Sequence, residues 1–388
     1  MNRSPLDSEI QAAASGRGLY VHIPFCLKKC HYCDFVITTK RAPEDRARFL
    51  RALQTEIQYA VHQYGRLKFS TLYLGGGTPS ALEPAEFASV VEMIQQSFDF
   101  EKGYEFSVEV NPGDISDEKI AAYARAGVNR VSLGVQAFQE RLLKDMNRPH
   151  GTAEIESTVQ RLRAAGLKNI SMDMIVYLPD QTLTDVDETL KGLLNLEPNQ
   201  VSVYDLDVHE KTVYGLRRRE GRLKLVSEEE HAGMSEKVTR ALESCGFIHY
   251  ELSNFAKPGF ESRHNLIYWH NQPYLGLGPG AFSYLDGVRY QFADSVESYL
   301  KKIESGDRKN QTEDRLTPEE IEKETLLTGI RLRDGIDLRR LNLLSGKVKK
   351  VSELWIQEGL LENDGFRLKF TERGKPVAET ILKTLAQI

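Results

Sequence analysis

An alternation in the first half of the chain limits its fold most. Short runs rich in β-branched and aromatic residues recur at Leu19–Ile23, Thr71–Leu74, Glu105–Val110, Arg130–Gly134, Asn169–Ile175 and Val201–Leu206. Helical patterns such as Glu44–His62 and Pro84–Gln96 lie between them. Strands separated by helices pair in parallel, because a crossover must return the chain to the same end of the sheet. Six such units predict an α/β fold, either an open sheet or an incomplete barrel. In both, the ligand site lies at the carboxyl ends of the strands. The longest apolar run, Met172 to Leu178, is interrupted by Asp173 and suits a buried strand. It falls well short of the roughly 18 residues of a membrane span.

The chemically distinctive residues gather at those strand ends. The first run leads into Cys26, Cys30 and Cys33, spaced C-x₃-C-x₂-C, and the second into Gly75-Gly76-Gly77-Thr78-Pro79. Glu109-Val110-Asn111-Pro112 closes the third, Gly134-Val135-Gln136 ends the fourth, and Asp173 lies in the fifth. Three thiolates on one short loop can hold three corners of a [4Fe–4S] cluster and leave one iron open to a ligand. A disulfide would leave an odd thiol and suits an oxidising compartment, whereas residues 1–18 lack the apolar core of a signal peptide. A zinc site would take His31 as its fourth ligand, strained between two of the cysteines. Cys245, far downstream at the end of an amphipathic helix, reads as a buried inert thiol.

Glycines at 75–77 allow close backbone approach to a ligand or, more plainly, a tight strand-to-helix turn, with Thr78-Pro79 opening the next helix. Glu109 at the end of an apolar strand needs a partner, either a ligand amine or hydroxyl or a base such as Arg130. Arg148 has the fork that fits a carboxylate, and Asp173 suits ribose hydroxyls or a buried ion pair.

The 388 residues, 40% apolar and 28% charged, are enough for two or three domains, and the net charge of −5 argues against a general nucleic-acid binder. The expected organisation is a tail at 1–18, the partial barrel at 19–207, a connecting α/β region at 208–305 with a helix at 227–245, and a small, mainly helical domain at 311–388. A charged, exposed segment, Lys301–Glu319, would precede the last part. Leu354–Glu362 followed by Phe366–Phe370 reads as a recognition-type helix and wing. Residues 311–388 carry 14 Lys/Arg and 14 Asp/Glu, so this winged-helix-like end lacks the basic excess that phosphate binding needs.

Together, Leu19–Cys26, Cys30, Tyr32-Cys33-Asp34-Phe35, Gly75–Ser80, Glu109–Pro112, Asn129–Phe138, Arg148 and Asp173–Pro179 resemble the radical S-adenosylmethionine superfamily in its HemN-like branch. The resemblance continues through Tyr250–Ser283 into the last domain. It implies an incomplete (β/α)₆ barrel, a [4Fe–4S] cluster on Cys26, Cys30 and Cys33, and S-adenosylmethionine on the open iron. Tyr20, Gly76 or Gly77, Thr78 and Glu109 would contact that cofactor, and Tyr32 would lie near its adenine. Gln136, Arg148 and Asp173 match positions that hold a second cofactor molecule.

Within the branch, the oxidative decarboxylase of porphyrin synthesis has a fourth cysteine where this chain has Phe35, and a longer stretch before Tyr20. Those departures, and His264-Asn265-Leu266-Ile267-Tyr268-Trp269, resemble the HemW group of haem chaperones. His264 is then the candidate haem ligand, beside the flat apolar surface of Tyr268 and Trp269. The group's Gly-Leu-Pro-Gly-Gln-Thr stands here as Tyr177-Leu178-Pro179-Asp180-Gln181-Thr182. The resemblance implies a cytoplasmic protein that delivers haem to acceptors such as respiratory or haem-storage proteins. An electron donor such as flavodoxin or ferredoxin would serve it, with no nucleic acid and no membrane span. The rivals are oxygen-independent coproporphyrinogen III dehydrogenation, a radical methyltransferase or haem-modifying enzyme, and a DNA-binding regulator.

Overall fold

The computed structural model describes residues 16–388, so nearly all of the tail expected at 1–18 lies outside the described residues. Six strands form where the alternation places them: β1 (Gly18–Ile23), β2 (Lys68–Gly76), β3 (Asp99–Val110), β4 (Arg130–Gln136), β5 (Ile170–Val176) and β6 (Gln200–Asp205). Each pairs in parallel with the next. The intervening helices include Pro43–Tyr64 and Pro84–Ser97, both opened by a proline, whose missing N–H costs nothing in a first turn.

Residues beyond 207 extend this sheet at both sides. On one side β7 (Ile248–Glu251) and β8 (Asn254–Ala256) add antiparallel strands to β6. On the other, β9 (Tyr274–Leu277) runs parallel to β1, followed by antiparallel β10 (Phe282–Leu285), β11 (Val288–Gln291) and β12 (Thr312–Arg315). The result is a 12-stranded sheet whose ends do not pair, an incomplete barrel with long flanks. The connecting region at 208–305 therefore belongs to the barrel sheet, and so does β12 beyond the expected boundary at 311. The segment Lys301–Glu319, expected to be charged and exposed, is mostly exposed; it holds the end of the helix Val296–Ser305, where Ile303 is buried, and the edge strand β12.

The last part packs helices Pro318–Gly329, Ser345–Gln357 and Ala378–Leu385 on β13 (Ile336–Asp337), β14 (Leu361–Asn363) and β15 (Arg367–Phe370), in sheet order β13-β15-β14. It has its own core around Leu326, Ile336, Leu344, Leu361 and Leu368. It also lies against β7, where the Arg333 N–H donates to the Tyr250 carbonyl and Leu332 bridges Glu251. Cys245 is exposed rather than buried, because it caps the helix Glu228–Ser244 beyond Leu242, the helix's last buried residue before the cap.

Alternation along the parallel strands separates two chemistries. Leu19, Val21, Leu72, Leu74, Val108, Val131, Leu133, Met172, Met174 and Val201 are fully buried and belong to the main apolar core, which also takes in the helices. Their neighbours carry Tyr20, His22, Thr71, Tyr73, Ser107, Glu109, Arg130, Ser132, Asp173 and Ser202, which make the barrel interior polar. The floor, at the amino ends of the strands, is closed by the short helix Arg263–Trp269. Glu105 on β3 accepts its first two N–H groups, from Arg263 at 3.0 Å and His264 at 3.1 Å. A carboxylate there satisfies donors that the helix cannot.

A second buried carboxylate joins the helical layer to the sheet. Glu56, in the helix Pro43–Tyr64, accepts the Gly278 N–H at 2.7 Å and the Tyr299 hydroxyl at 2.8 Å. Burial pushes its carboxyl up to about 7. The folded chain thus holds a proton that the unfolded chain has released, so this stability is present below the ordinary carboxylate range and is lost as pH rises through about 7. Glu56→Gln keeps both hydrogen bonds possible through its amide oxygen and should flatten the fall in urea midpoint between about pH 5 and 7. A wild-type slope in the variant would refute this.

Candidate functional site

A cavity of about 520 Å³ opens at the carboxyl ends of the six parallel strands. Cys26, Cys30, Cys33, Tyr32, Gly76, Gly77, Thr78, Glu109, Gln136, Arg148 and Asp173 all line it. The expectation that separate strand ends converge on one face is met.

The cysteine loop is hung on backbone bonds. The Cys26 N–H donates to the Thr38 carbonyl at 3.0 Å, the His31 N–H to that of Met146 at 3.0 Å, and the Cys33 N–H to that of Cys30 at 3.2 Å. Cys26 Sγ lies 3.5 Å from Thr78 Oγ1, and Arg148 Nη1 donates to Cys30 Sγ at 3.5 Å. Burial pushes the Cys26 thiol up to about 11 and also raises that of Cys33. His31 does not join them: its Nδ1 is 2.5 Å from the Asp145 carbonyl. Among the described residues no three His, Cys, Asp or Glu side chains close on a point that would hold a single metal ion. Three thiols spread around a cavity fit a cluster, in which each binds a different iron, better than they fit zinc.

The glycine run is a cradle. Gly76 has φ 108°, and a Cβ there would meet the His22 ring at 2.5 Å; one on Gly77 would meet the Pro24 backbone at 2.7 Å. Thr78 and Pro79 open a single 3₁₀ turn, and the helix waits until Pro84. Glu109 accepts the Tyr73 hydroxyl at 2.9 Å and the Gly76 N–H at 3.0 Å, and burial pushes its carboxyl up to about 7. Arg130 is not its hydrogen-bonded partner, since that guanidinium donates to Gln200 Oε1 at 2.7 Å.

Arg148 spends most of its fork on the protein. Nη2 donates to the Gly134 carbonyl at 2.6 Å and to Asn111 Oδ1, while Nη1 reaches the Tyr32 hydroxyl at 3.4 Å. Its buried Nε and Gln136 Oε1 have no partner. Gln136 holds a left-handed φ of 71° at a bulge in β4. Asp173 accepts Ser132 Oγ at 3.2 Å, and burial raises its carboxyl. Buried polar atoms left unsatisfied on a cavity wall are costly unless a ligand completes them.

Two expected residues lie elsewhere. Tyr20 is a pleat below His22; its hydroxyl meets His22 Nδ1 at 3.1 Å, and its ring faces Tyr73 and His264 rather than the cavity. His264 is on the barrel floor, 1% exposed, with Nδ1 2.7 Å from Thr71 Oγ1 and Nε2 2.8 Å from the Tyr268 hydroxyl. Both ring nitrogens are used, at the end of the barrel opposite the cysteines. Haem ligation by His264 would require one of these two hydroxyls to give up its bond to the ring.

Residues 20–193 match the Radical SAM superfamily, and residues 316–377 the HemN C-terminal domain. The chain is 38% identical to a Lactococcus lactis protein described as heme chaperone HemW, covering 94% of this chain and 96% of that one. It is 37% identical to a Bacillus subtilis protein of the same description, covering 92% and 96%. This chain belongs to the HemW family. The solved structure of the Escherichia coli coproporphyrinogen III oxidase HemN superposes with a TM-score of 0.83 at 22% identity, over 98% of this chain and 93% of that one, so the HemN-like radical SAM fold is shared.

In this HemW-family chain Tyr177 and Asp180, which stand where the resemblance set glycines, have φ 66° and 55°, the left-handed region glycine occupies without cost. The Tyr177 hydroxyl donates to the His231 carbonyl at 3.1 Å and meets Ser235 Oγ, contacts that offset the strain. Tyr204, Asp205, Asp207 and His209 also line the cavity and were not singled out from the sequence. Tyr204 and Asp205 end the sixth strand, and Asp207 and His209 follow it, where the strand-end rule would have found them.

Superfamily membership implies a [4Fe–4S] cluster and S-adenosylmethionine. Changing Cys26, Cys30 and Cys33 together to Ala should abolish the iron–sulfur absorbance near about 400 nm after anaerobic reconstitution. Cys245→Ala should leave it intact. A cluster retained by the triple variant would overturn the ligand assignment.

Proposed function

We propose that this HemW-family chain is a haem chaperone that binds a [4Fe–4S] cluster through Cys26, Cys30 and Cys33, binds S-adenosylmethionine beside it, and passes haem to an acceptor protein. The observation that carries this reading is near-full-length identity to proteins named as heme chaperones. The cavity supports it. The thiols, the glycine cradle and Glu109 face one space, and Gln136 and Arg148 present unpaired buried atoms there. When bound, the cluster and S-adenosylmethionine together supply one-electron chemistry. The protein's own residues position the ligand and exclude water. Glycine 76 and 77 bring backbone groups close to the cofactor, and Glu109 holds its amine. Thr78, oriented by Asn111 Nδ2 at 2.8 Å, braces Cys26.

Glu109 makes this binding depend on pH. Burial holds the empty site's carboxyl near 7, and a cationic amine favours its ionised form. Affinity for S-adenosylmethionine should therefore fall as pH drops through about 7. Glu109→Gln should weaken binding about tenfold or more and remove that dependence. An unchanged affinity would remove Glu109 from the amine site.

The function is tested by titrating haem into anaerobically reconstituted protein and assaying coproporphyrinogen III decarboxylation in parallel. Stoichiometric haem binding without vinyl product is the expected result. Vinyl product at useful turnover would replace the chaperone reading with the dehydrogenase.

A further inference from the structure

One-electron chemistry at the cluster needs an electron from outside the chain, and the surface nearest the three thiols is the cysteine loop with whatever packs on it. The helix Val213–Arg219 is fastened to that loop. The Tyr214 N–H donates to the His31 carbonyl at 3.0 Å, and the Tyr214 hydroxyl to Asp145 Oδ2 at 2.7 Å. Arg217 Nη1 donates to Asp145 Oδ1 at 2.6 Å, and the Asp145 carbonyl lies 2.5 Å from His31 Nδ1. Asp145 thus ties loop and helix together. On another side the helix is pressed against the segment leaving β6, where a Cβ on Gly215 would meet the His209 carbonyl at 2.2 Å.

The face left open is basic. From Lys211 to Lys224 stand six Lys/Arg and one acid, Glu220, in a chain whose net charge is −5. Lys28 and Lys29, exposed on the cysteine loop itself, add two more cations. Arg217 is spent on Asp145 and Arg222 on Glu220, whereas Lys28, Lys29, Arg218 and Arg219 enter no ion pair among the described residues. A helix C-terminus favours cations, which accounts for part of the arginine run. It does not account for the lysines on the loop, nor for Leu27, Val213 and Leu216, which are exposed on the same two elements.

We propose that this face docks an acidic one-electron carrier protein, which reduces the cluster through the cysteine loop. This rests on the cluster assignment above. One electron leaves the carrier's reduced flavin or iron–sulfur centre and enters the cluster. The carrier departs oxidised by one electron, and no bond is made or broken in the chain. Opposite charges speed and orient such an encounter, and electron-transfer contacts are small and transient, so a modest patch is enough. Apolar side chains among the cations give a protein partner a dry centre with a charged rim, which nucleic acid would not use.

The test titrates full-length, cluster-reconstituted protein anaerobically with an acidic flavodoxin. Calorimetry should show binding that weakens about tenfold as sodium chloride rises from about 50 to about 200 mM. Arg218→Glu together with Arg219→Glu should weaken it about tenfold or more. The same double reversal should slow, to a like degree, the bleaching of the absorbance near about 400 nm by reduced flavodoxin. Excess dithionite, too small to need a docking face, should bleach wild type and variant fully, which separates lost docking from a damaged cluster. Lys349→Glu with Lys350→Glu, exposed on the C-terminal module, should behave as wild type. Equal affinity for flavodoxin in wild type and the double reversal would overturn the assignment while leaving the cluster in place. So would a wild type that ignores flavodoxin and binds anionic phospholipid vesicles through Arg218 and Arg219. A cluster that dithionite cannot reduce would overturn the redox reading beneath it.

Discussion

Everything at the site depends on one constraint: the six parallel strands are apolar toward the helices and polar toward the barrel axis. The outward residues supply the burial that drives folding. The inward ones then cannot avoid being desolvated, so each needs a partner. On the floor the partners come from the protein. Glu105 meets the amide groups of Arg263 and His264, Thr71 meets His264, and Arg130 meets Gln200. At the carboxyl ends the pairing stays incomplete, with Arg148 Nε and Gln136 Oε1 unmatched. The floor residues largely hold one another, with Arg130 Nε and Arg263 Nε left over, whereas the residues at the carboxyl ends line a cavity that a ligand can fill.

The same division explains what the sequence made legible. Strand positions followed from β-branched runs, and the site followed from chemistry placed at the ends of five of them. The hexapeptide around His264 marks a histidine as notable without showing which end of the barrel it occupies. Only the parallel register, which puts Gly18, Thr71 and Glu105 beside it, places that histidine on the floor. Tyr20, one pleat below His22, is likewise positioned by the register rather than by a local motif. His209, which lines the cavity, stands in a polar loop with no motif around it.

The flanking strands were hidden too. Residues 248–256 and 274–291 are short runs with little periodicity, and they pair with β6 and β1, which are distant in sequence. Long-range pairing of this kind leaves no local trace. Cys245 was read as buried from the helix that precedes it, but a cap residue lies past the apolar stripe and turns to water.

An open sheet of 12 strands has two free edges, and unpaired edges invite pairing with other chains. The two are protected differently. β12 is short, fully exposed and carries Glu313, Asp314 and Arg315, a charged row that discourages a second copy from docking. β7 has no such charge row and is instead covered by the C-terminal module through Arg333 and Leu332. That module is therefore a lid for the sheet whatever else it contacts, and a chain cut before it would expose a strand edge prone to self-association.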